Sequence, residues 1–284
     1  MENMKTNPQK WVVIVLIFLL SGCSSKPVTF IQVADTQMGM FSGDKNMDYE
    51  TEHLKAAINA INSLYPDFVI VSGDLTNKTA DSLQVVTFRQ LISKISPSIP
   101  IYLVPGNHDV GNLPDDSAIS MYRCLYGKDY YWFRKGSIYG IVLNSSLMRN
   151  DSLAKQEGEE QDRWLDKSLA RASRSGKSVV IFMHHPLFLD KPEEQTDYEN
   201  FPEPERTRYL ELFKKYHVKA IFTGHLHRNR MLDLNGIQQI TTAALSTNFG
   251  RDSSGFRAVT VCNKQIVLRY IRLDSLSNQI DTRK

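Results

Sequence analysis

The sequence predicts an α/β fold built on two packed β-sheets, and three observations predict it. Residues 28–109 alternate apolar, strand-like runs with amphipathic segments, the pattern of a parallel sheet with crossover helices. Segments 237–243, 257–262 and 265–272 read as antiparallel strands, which suggests a second sheet packed on the first. Five apolar runs stop at side chains that bind metals or move protons. These are Asp35 with Gln37, Asp74, Asn107 with His108 and Asp109, His184 with His185, and His225 with His227. Ligands of open α/β sheets bind at the carboxyl ends of strands. One Asp after a strand reads as a turn residue or helix cap. Asp, Gln, Asp, Asn and three His at five strand ends are not explained by turn chemistry.

Each element has a local reason. The strand over 28–34 runs into Asp35-Thr36-Gln37 and a Gly- and Met-containing loop to Asp48. A helix follows with Leu54, Ala57, Ile58, Ile61 and Leu64 on one face, ended by Pro66. The strand over 67–73 delivers Asp74, and a second amphipathic helix has Leu83, Val86, Leu91, Ile92 and Ile95 as its inward candidates. Ile101 to Val104 is a short apolar run bounded by prolines, a buried strand rather than a helix, and Gly106 turns the chain so that Asn107, His108 and Asp109 sit at its carboxyl end. Residues 110–131 read as irregular, a candidate substrate loop. Trp132-Phe133 and 138–144 read as a hairpin, and Trp164, Leu165, Leu169 and Ala172 mark a third helix that Gly176 ends. The strand over 179–183 delivers His184-His185-Pro186. Residues 187–204 form an insert rich in Pro, Glu and Asp, and a structureless connection of that length is more often functional than idle. A helix over 205–217 leads to the last strand end, Gly224-His225-Leu226-His227.

Composition sets the outer limits. The 284 residues are 42% apolar and 23% charged, with net charge +3, which suits one substantial core. No Lys/Arg cluster stands beside interleaved aromatics, so nothing supports nucleic-acid binding. Lys5 and Lys10 precede a ten-residue apolar run, Trp11 to Leu20, too short to span a bilayer as a helix. With Leu20-Ser21-Gly22-Cys23 it resembles a bacterial lipoprotein signal and its lipobox. The expected organisation is a signal peptide over 1–22, a lipidated Cys23 with a tether over 23–27, and one domain over 28–284. The implied location is the cell envelope, an outer-membrane lipid anchor facing the periplasm. Cys124 and Cys262 are too few for a disulfide framework and lack zinc spacing; they pair, or each is a small buried residue, and the strand-like setting of Cys262 fits the second.

Two carboxylates, an asparagine and three histidines exceed what one mononuclear site needs and suit two transition-metal ions. A carboxylate shared at the second strand end would hold the ions about 3.5 to 4 Å apart, and the net cationic centre would activate a bridging water and receive a phosphate.

The order Asp-x-Gln, Gly-Asp, Gly-Asn-His-Asp, His-His-Pro and Gly-His-x-His resembles the calcineurin-like metallophosphoesterase superfamily over residues 28–272. Gln37, Gly-Asn-His-Asp-Val-Gly-Asn, the acidic insert and Gly250-Arg251-Asp252 resemble its calcineurin-like phosphoesterase domain-containing protein 1 group most. The resemblance implies two mixed β-sheets packed as a sandwich flanked by helices. It also implies a phosphoesterase using a hydroxide that bridges two metal ions (Mn, Fe or Zn), a phosphomonoesterase with phosphoserine or phosphothreonine as candidate substrates. Asp35, Gln37, Asp74 and His227 would hold one metal, and Asp74, Asn107, His184 and His225 the other. His108 would protonate the leaving oxygen, Asp109 would orient its imidazole, and His185 would stand behind the ligands. The wider superfamily has Asp-x-His where this chain has Asp35-x-Gln37, and an amide oxygen there favours oxygen-loving ions. Arg251 is a candidate phosphate contact, since a guanidinium grips phosphate oxygens bidentately and Gly250 would allow close approach. The competing reading of Arg251 is a surface ion pair with Asp252. Competing functions are a phosphodiesterase or nucleotidase, or a non-catalytic interaction module on the same fold. The full ligand set with His108 favours an enzyme.

Overall fold

The computed structural model describes residues 26–262 and 265–277; the expected signal peptide and Cys23 lie outside them. The chain runs β1 (Val28–Val33), α1 (Asp48–Leu64), β2 (Phe68–Ser72), α2 (Ser82–Ile92), β3 (Ile101–Val104), α3 (Asn107–Val110), α4 (Asp116–Tyr126), β4 (Tyr131–Lys135) and β5 (Ile138–Val142). It continues with α5 (Ser145–Arg149), α6 (Lys155–Ser173), β6 (Ser178–Phe182), α7 (Glu203–Lys215), β7 (Ala220–Thr223), β8 (Arg230–Leu234), β9 (Ile237–Thr241), β10 (Gly255–Cys262), β11 (Gln265–Arg272) and α8 (Leu273–Ser277).

Strand alternation sorts the apolar side chains into three layers. Phe30, Phe68, Ile70, Phe133, Val180, Phe182 and Phe222 meet between the sheets. Ile31, Val33, Val69 and Val71 turn the other way and pack under α1 and α2 with Leu54, Ile58 and Phe88. Tyr139, Ile141, Val179 and Ile181 do the same under α6 and α7 with Leu165, Leu169 and Phe213. In the middle layer Phe30 stacks on Phe68 at 4.7 Å and meets Phe222 edge-on at 5.2 Å. Such aromatic pairs contribute about 0.5 to 1.5 kcal/mol each beyond burial.

The first sheet has the order β11-β10-β1-β2-β3 and the second β4-β5-β6-β7-β9-β8. Strands β1, β2 and β3 are parallel, as are β5, β6, β7 and β9, while the flanking pairs are antiparallel. The sandwich flanked by helices is therefore present, but the last three expected strands do not form a sheet of their own. β9 joins the second sheet, beside a strand β8 that sequence reading missed, and β10 and β11 return to extend the first. Alternation reveals a strand's faces but not its partner, which long-range packing decides.

Two helical expectations also change. α2 buries Val85, Phe88 and Leu91, whereas Leu83 and Val86 are exposed; Asp81 caps the helix by accepting from the amides of Leu83 and Gln84, and that start sets its face. The stretch 110–131 holds α4, whose cap Asp115 accepts from the amide of Ala118 at 2.7 Å. Cys262 is buried, but Cys124 is free and exposed, on the side of α4 away from buried Ile119 and Tyr122. Among the described residues no helix is long and apolar enough to cross a membrane.

One buried polar side chain spans the two sheets beneath the strand ends. Gln32 on β1 donates to Ser72 Oγ and to the Thr223 carbonyl of β7, both at 2.9 Å, and accepts from Thr242 Oγ1 at 2.7 Å. Fully satisfied, such a side chain fixes how the sheets register.

Candidate metal centre

The carboxyl ends of β1, β2, β3, β6 and β7 meet at one edge of the sandwich. They bring together Asp35, Asp74, Asn107, His184, His225 and His227, all buried, with Gln37 alongside and also buried. His184 Nε2 lies 3.2 Å from Asp74 Oδ2, 3.1 Å from Asn107 Oδ1 and 4.0 Å from Asp35 Oδ1. His227 Nε2 lies 3.6 Å from Asp35 Oδ1, and the His225 ring is 5.0 Å from that of His184. Asp35 also accepts from the His225 amide, and Asp74 from the His108 amide at 2.9 Å.

The backbone is bent to make this possible. Asp35, Gln37, Asp74, His225 and His227 have φ of 50, 38, 49, 69 and 48°, a left-handed region that non-glycine residues seldom occupy and that costs about 1 to 3 kcal/mol each. Three glycines make room. A Cβ on Gly224 would stand 2.5 Å from Asp35 Oδ2 and 2.9 Å from the Ser72 carbonyl. A Cβ on Gly106 would overlap the Asp74 amide nitrogen and Oδ1, and one on Gly73 would overlap the His184 ring.

The donor set fits metal ions. His184 Nδ1 donates to the Ser72 carbonyl at 2.8 Å and His227 Nδ1 to the Thr247 carbonyl, which leaves each Nε2 lone pair facing carboxylates. Around His184 Nε2 the neighbouring oxygens of Asp74, Asn107 and Asp35 are acceptors, so a cation belongs among them. Gln37 Oε1 is buried without a hydrogen-bond partner, the state expected of an oxygen kept for a metal. Asp35, Asp74 and His184 present ligand atoms within 4.8 Å of one another, as do His184, His185 and His225.

Electrostatics express the same need for a cation. Burial pushes the Asp35 carboxyl up to about 6. Burial opposes charge on Asp74 as well, but His184 outweighs it and holds that carboxyl well below the usual range. Burial likewise opposes charge on His184, yet Asp74 beside it raises the imidazole to about 9. Burial, helped by the charge on His184, brings His225 down to about 3. The surrounding carboxylates thus favour positive charge at the position of His184 Nε2.

His185 is buried beside the cluster, its ring 4.4 Å from that of His225, so both adjacent imidazoles reach this region. They are bonded differently. Ser145 Oγ accepts from the amides of His184 and His185, so its hydrogen goes to His185 Nδ1 at 2.9 Å. His185 then carries its proton on Nε2, which suits a donor rather than a ligand.

Asp109 requires a correction. It is not hydrogen-bonded to the His108 imidazole; its carboxylate accepts from the Gly106 amide at 2.8 Å and the Leu75 amide at 3.0 Å, tying the exits of β2 and β3 together. His108 Nδ1 donates instead to the Asn77 carbonyl at 2.5 Å, which leaves Nε2 for a substrate. The side chain after a turn follows its own backbone direction, which adjacency in sequence does not reveal. Arg251 is exposed, and Asp252 accepts from the amide of Asn229 at 2.7 Å rather than pairing with it. A Cβ on Gly250 would meet nothing within 4 Å, so no close approach depends on that glycine.

Sequence reasoning missed Tyr198, Arg149 and Ser145. Tyr198 lies in the insert it flagged, and its hydroxyl accepts from Asn107 Nδ2 at 3.1 Å.

A sequence profile described as calcineurin-like phosphoesterase matches residues 28–229. The chain belongs to the calcineurin-like phosphoesterase family. It is 34% identical over 271 residues to the serine/threonine-protein phosphatase CPPED1 of Danio rerio, covering 90% of this chain and 88% of that one. The Homo sapiens protein of the same name is 32% identical over 270 residues, covering 89% and 86%. Among solved structures, a dimetal phosphatase from Danio rerio superposes with a TM-score of 0.66 at 16% identity, over 87% of this phosphoesterase and 96% of that protein. That likeness establishes a metallophosphoesterase fold.

Proposed function

We propose that this chain is a dinuclear metal-dependent phosphomonoesterase. In this reading Asp35, Gln37, Asp74 and His227 hold one ion and Asp74, Asn107, His184 and His225 the other, with Asp74 shared. The observation that carries it is the ring of acceptor oxygens around His184 Nε2 together with the unpartnered Gln37 Oε1. Two bound cations would supply electrophilic charge to a phosphoryl group and make an adjacent water acidic. His108, held at Nδ1 by the Asn77 carbonyl, presents Nε2 to protonate the departing oxygen. Manganese or iron suits the oxygen-rich half better than zinc. A monoester of serine or threonine is the substrate class that the relatives' name supports.

Chelation should abolish hydrolysis of an aryl phosphate, and manganese or iron should restore it. His108→Ala should leave metal content unchanged and lower turnover by about 10² to 10⁴, less for good leaving groups. Active protein free of metal would refute the reading.

For location, the signal peptide over 1–22 and lipidation at Cys23 rest on sequence alone. Cys23→Ser should leave an uncleaved precursor without lipid, and palmitate labelling of that variant would refute the assignment of Cys23 as the lipidated residue.

A further inference from the structure

Residues 187–202, between β6 and α7, have no regular secondary structure, yet they are bolted to the site on two sides. Arg149, at the end of α5, donates from Nε to the Asn200 carbonyl at 3.0 Å and from Nη2 to the carbonyls of Asp197 at 3.3 Å and Tyr198 at 2.9 Å. Arg228, one residue after His227, grips Glu199 bidentately at 2.7 and 2.6 Å. Tyr198 is the residue held between these two clamps. Its hydroxyl accepts from Asn107 Nδ2 at 3.1 Å, its ring lies 5.1 Å from that of His225, and its carbonyl is 3.3 Å from His225 Nε2. Despite these contacts the residue is 56% exposed, so it stands at the mouth of the cluster and not within its wall.

The hydrogen bonds fix what the phenol can still do. Asn107 gives one amide hydrogen to the phenol oxygen while its own Oδ1 faces His184. Having accepted there, the phenol keeps its hydrogen to give. Its other side-chain partner, the exposed Asn112, also acts as a donor to the phenol oxygen, so the phenol hydrogen stays available to an oxygen arriving from solvent. An anionic oxygen is the stronger acceptor.

We propose that Tyr198 is a substrate-positioning residue, whose hydroxyl donates to a nonbridging phosphoryl oxygen of the bound phosphoester. This rests on the phosphoesterase reading above. The insert, through Arg149 and Arg228, supplies the rigidity that makes the contact useful, because a donor fixed in place loses little entropy on binding.

The test uses the metal-loaded full chain, with inorganic phosphate as the binding probe and an aryl phosphate as substrate. Tyr198→Phe keeps the ring and removes only the hydroxyl. It should weaken phosphate binding in calorimetry about tenfold or more, the worth of a hydrogen bond to a charged oxygen, and raise KM similarly, with metal stoichiometry unchanged. Arg149→Gln should reproduce a smaller rise in KM by loosening the insert. Unchanged phosphate affinity in Tyr198→Phe would overturn the proposal. So would lost metal in that variant, because Tyr198 would then act by orienting Asn107. A wild-type protein that neither binds phosphate nor hydrolyses the ester when loaded would bring down the phosphoesterase reading together with this one.

Discussion

Gly106 separates the exits of β2 and β3, and replacing it with alanine is the sharpest test of how the cluster is held. The added Cβ would overlap the Asp74 amide nitrogen and Oδ1 and stand 2.9 Å from Asp74 Cγ, where ordinary contact begins near 3.4 Å. Neither obstacle is the loose end of a side chain. The nitrogen is backbone, and Oδ1 is fixed by the His108 amide at 2.9 Å. Relief therefore requires the two loops to part by about 1 Å. Overpacking of this kind costs about 1 to 3 kcal/mol, and at about 2 to 4 °C per kcal/mol for a domain of this size the melting temperature should fall by roughly 2 to 12 °C. The same displacement moves Asp74 against His184 and should lower turnover about 10²-fold. Thermal melts, metal stoichiometry and aryl phosphate hydrolysis of Gly106→Ala measure all three. Gly250→Ala is the control, because its Cβ would meet nothing within 4 Å. A Gly106→Ala protein with wild-type melting temperature and metal content would refute the packing argument.

Three further substitutions separate roles within the site. Gln37→His replaces an unpartnered buried oxygen with a nitrogen donor and should move metal preference from manganese or iron toward zinc; an unmoved preference removes Gln37 from the ligand set. Asp109→Asn turns one of two accepting oxygens into a donor facing the Gly106 or Leu75 amide. It should cost about 1 to 3 kcal/mol in denaturant unfolding without the leaving-group dependence expected of His108→Ala; if it reproduces that dependence, Asp109 serves the imidazole after all. Arg251→Lys should raise KM while metal content and melting temperature stay at wild type if the guanidinium grips phosphate, and unchanged kinetics would leave Arg251 a surface residue.

The strand ends were legible because each joins two signals that survive in one dimension, an apolar run and a polar stop. Asp35, Asp74, Asn107, His184, His225 and His227 are brought together as that pattern implied. What the pattern lacks is direction. Asp109 and His108 are neighbours in sequence, but the Asp109 side chain turns to backbone amides while His108 finds the Asn77 carbonyl. Partner choice is also invisible, so β10 and β11 read as strands without revealing that they pair beside β1. Tyr198 was hidden for a third reason. It is one tyrosine in an acidic loop, and only the clamps from Arg149 and Arg228, distant in sequence, place it at the cluster.

The two sheets contribute different chemistry. Asp35, Gln37, Asp74 and Asn107, all oxygen donors, follow strands of the first sheet, and His184, His225 and His227, all nitrogen donors, follow strands of the second. Neither sheet alone presents a mixed donor set, so the centre exists only where the sandwich registers its halves. Gln32 makes that registration at the level of Ser72 and Thr223, immediately below Asp74 and His225. The strained backbone at five of the seven positions acts against the fold when the cluster is empty of cations, since buried carboxylates and left-handed φ angles both cost free energy. A cation bound across the seam would offset those costs only in the folded state, which would link metal affinity and sandwich stability through the same residues.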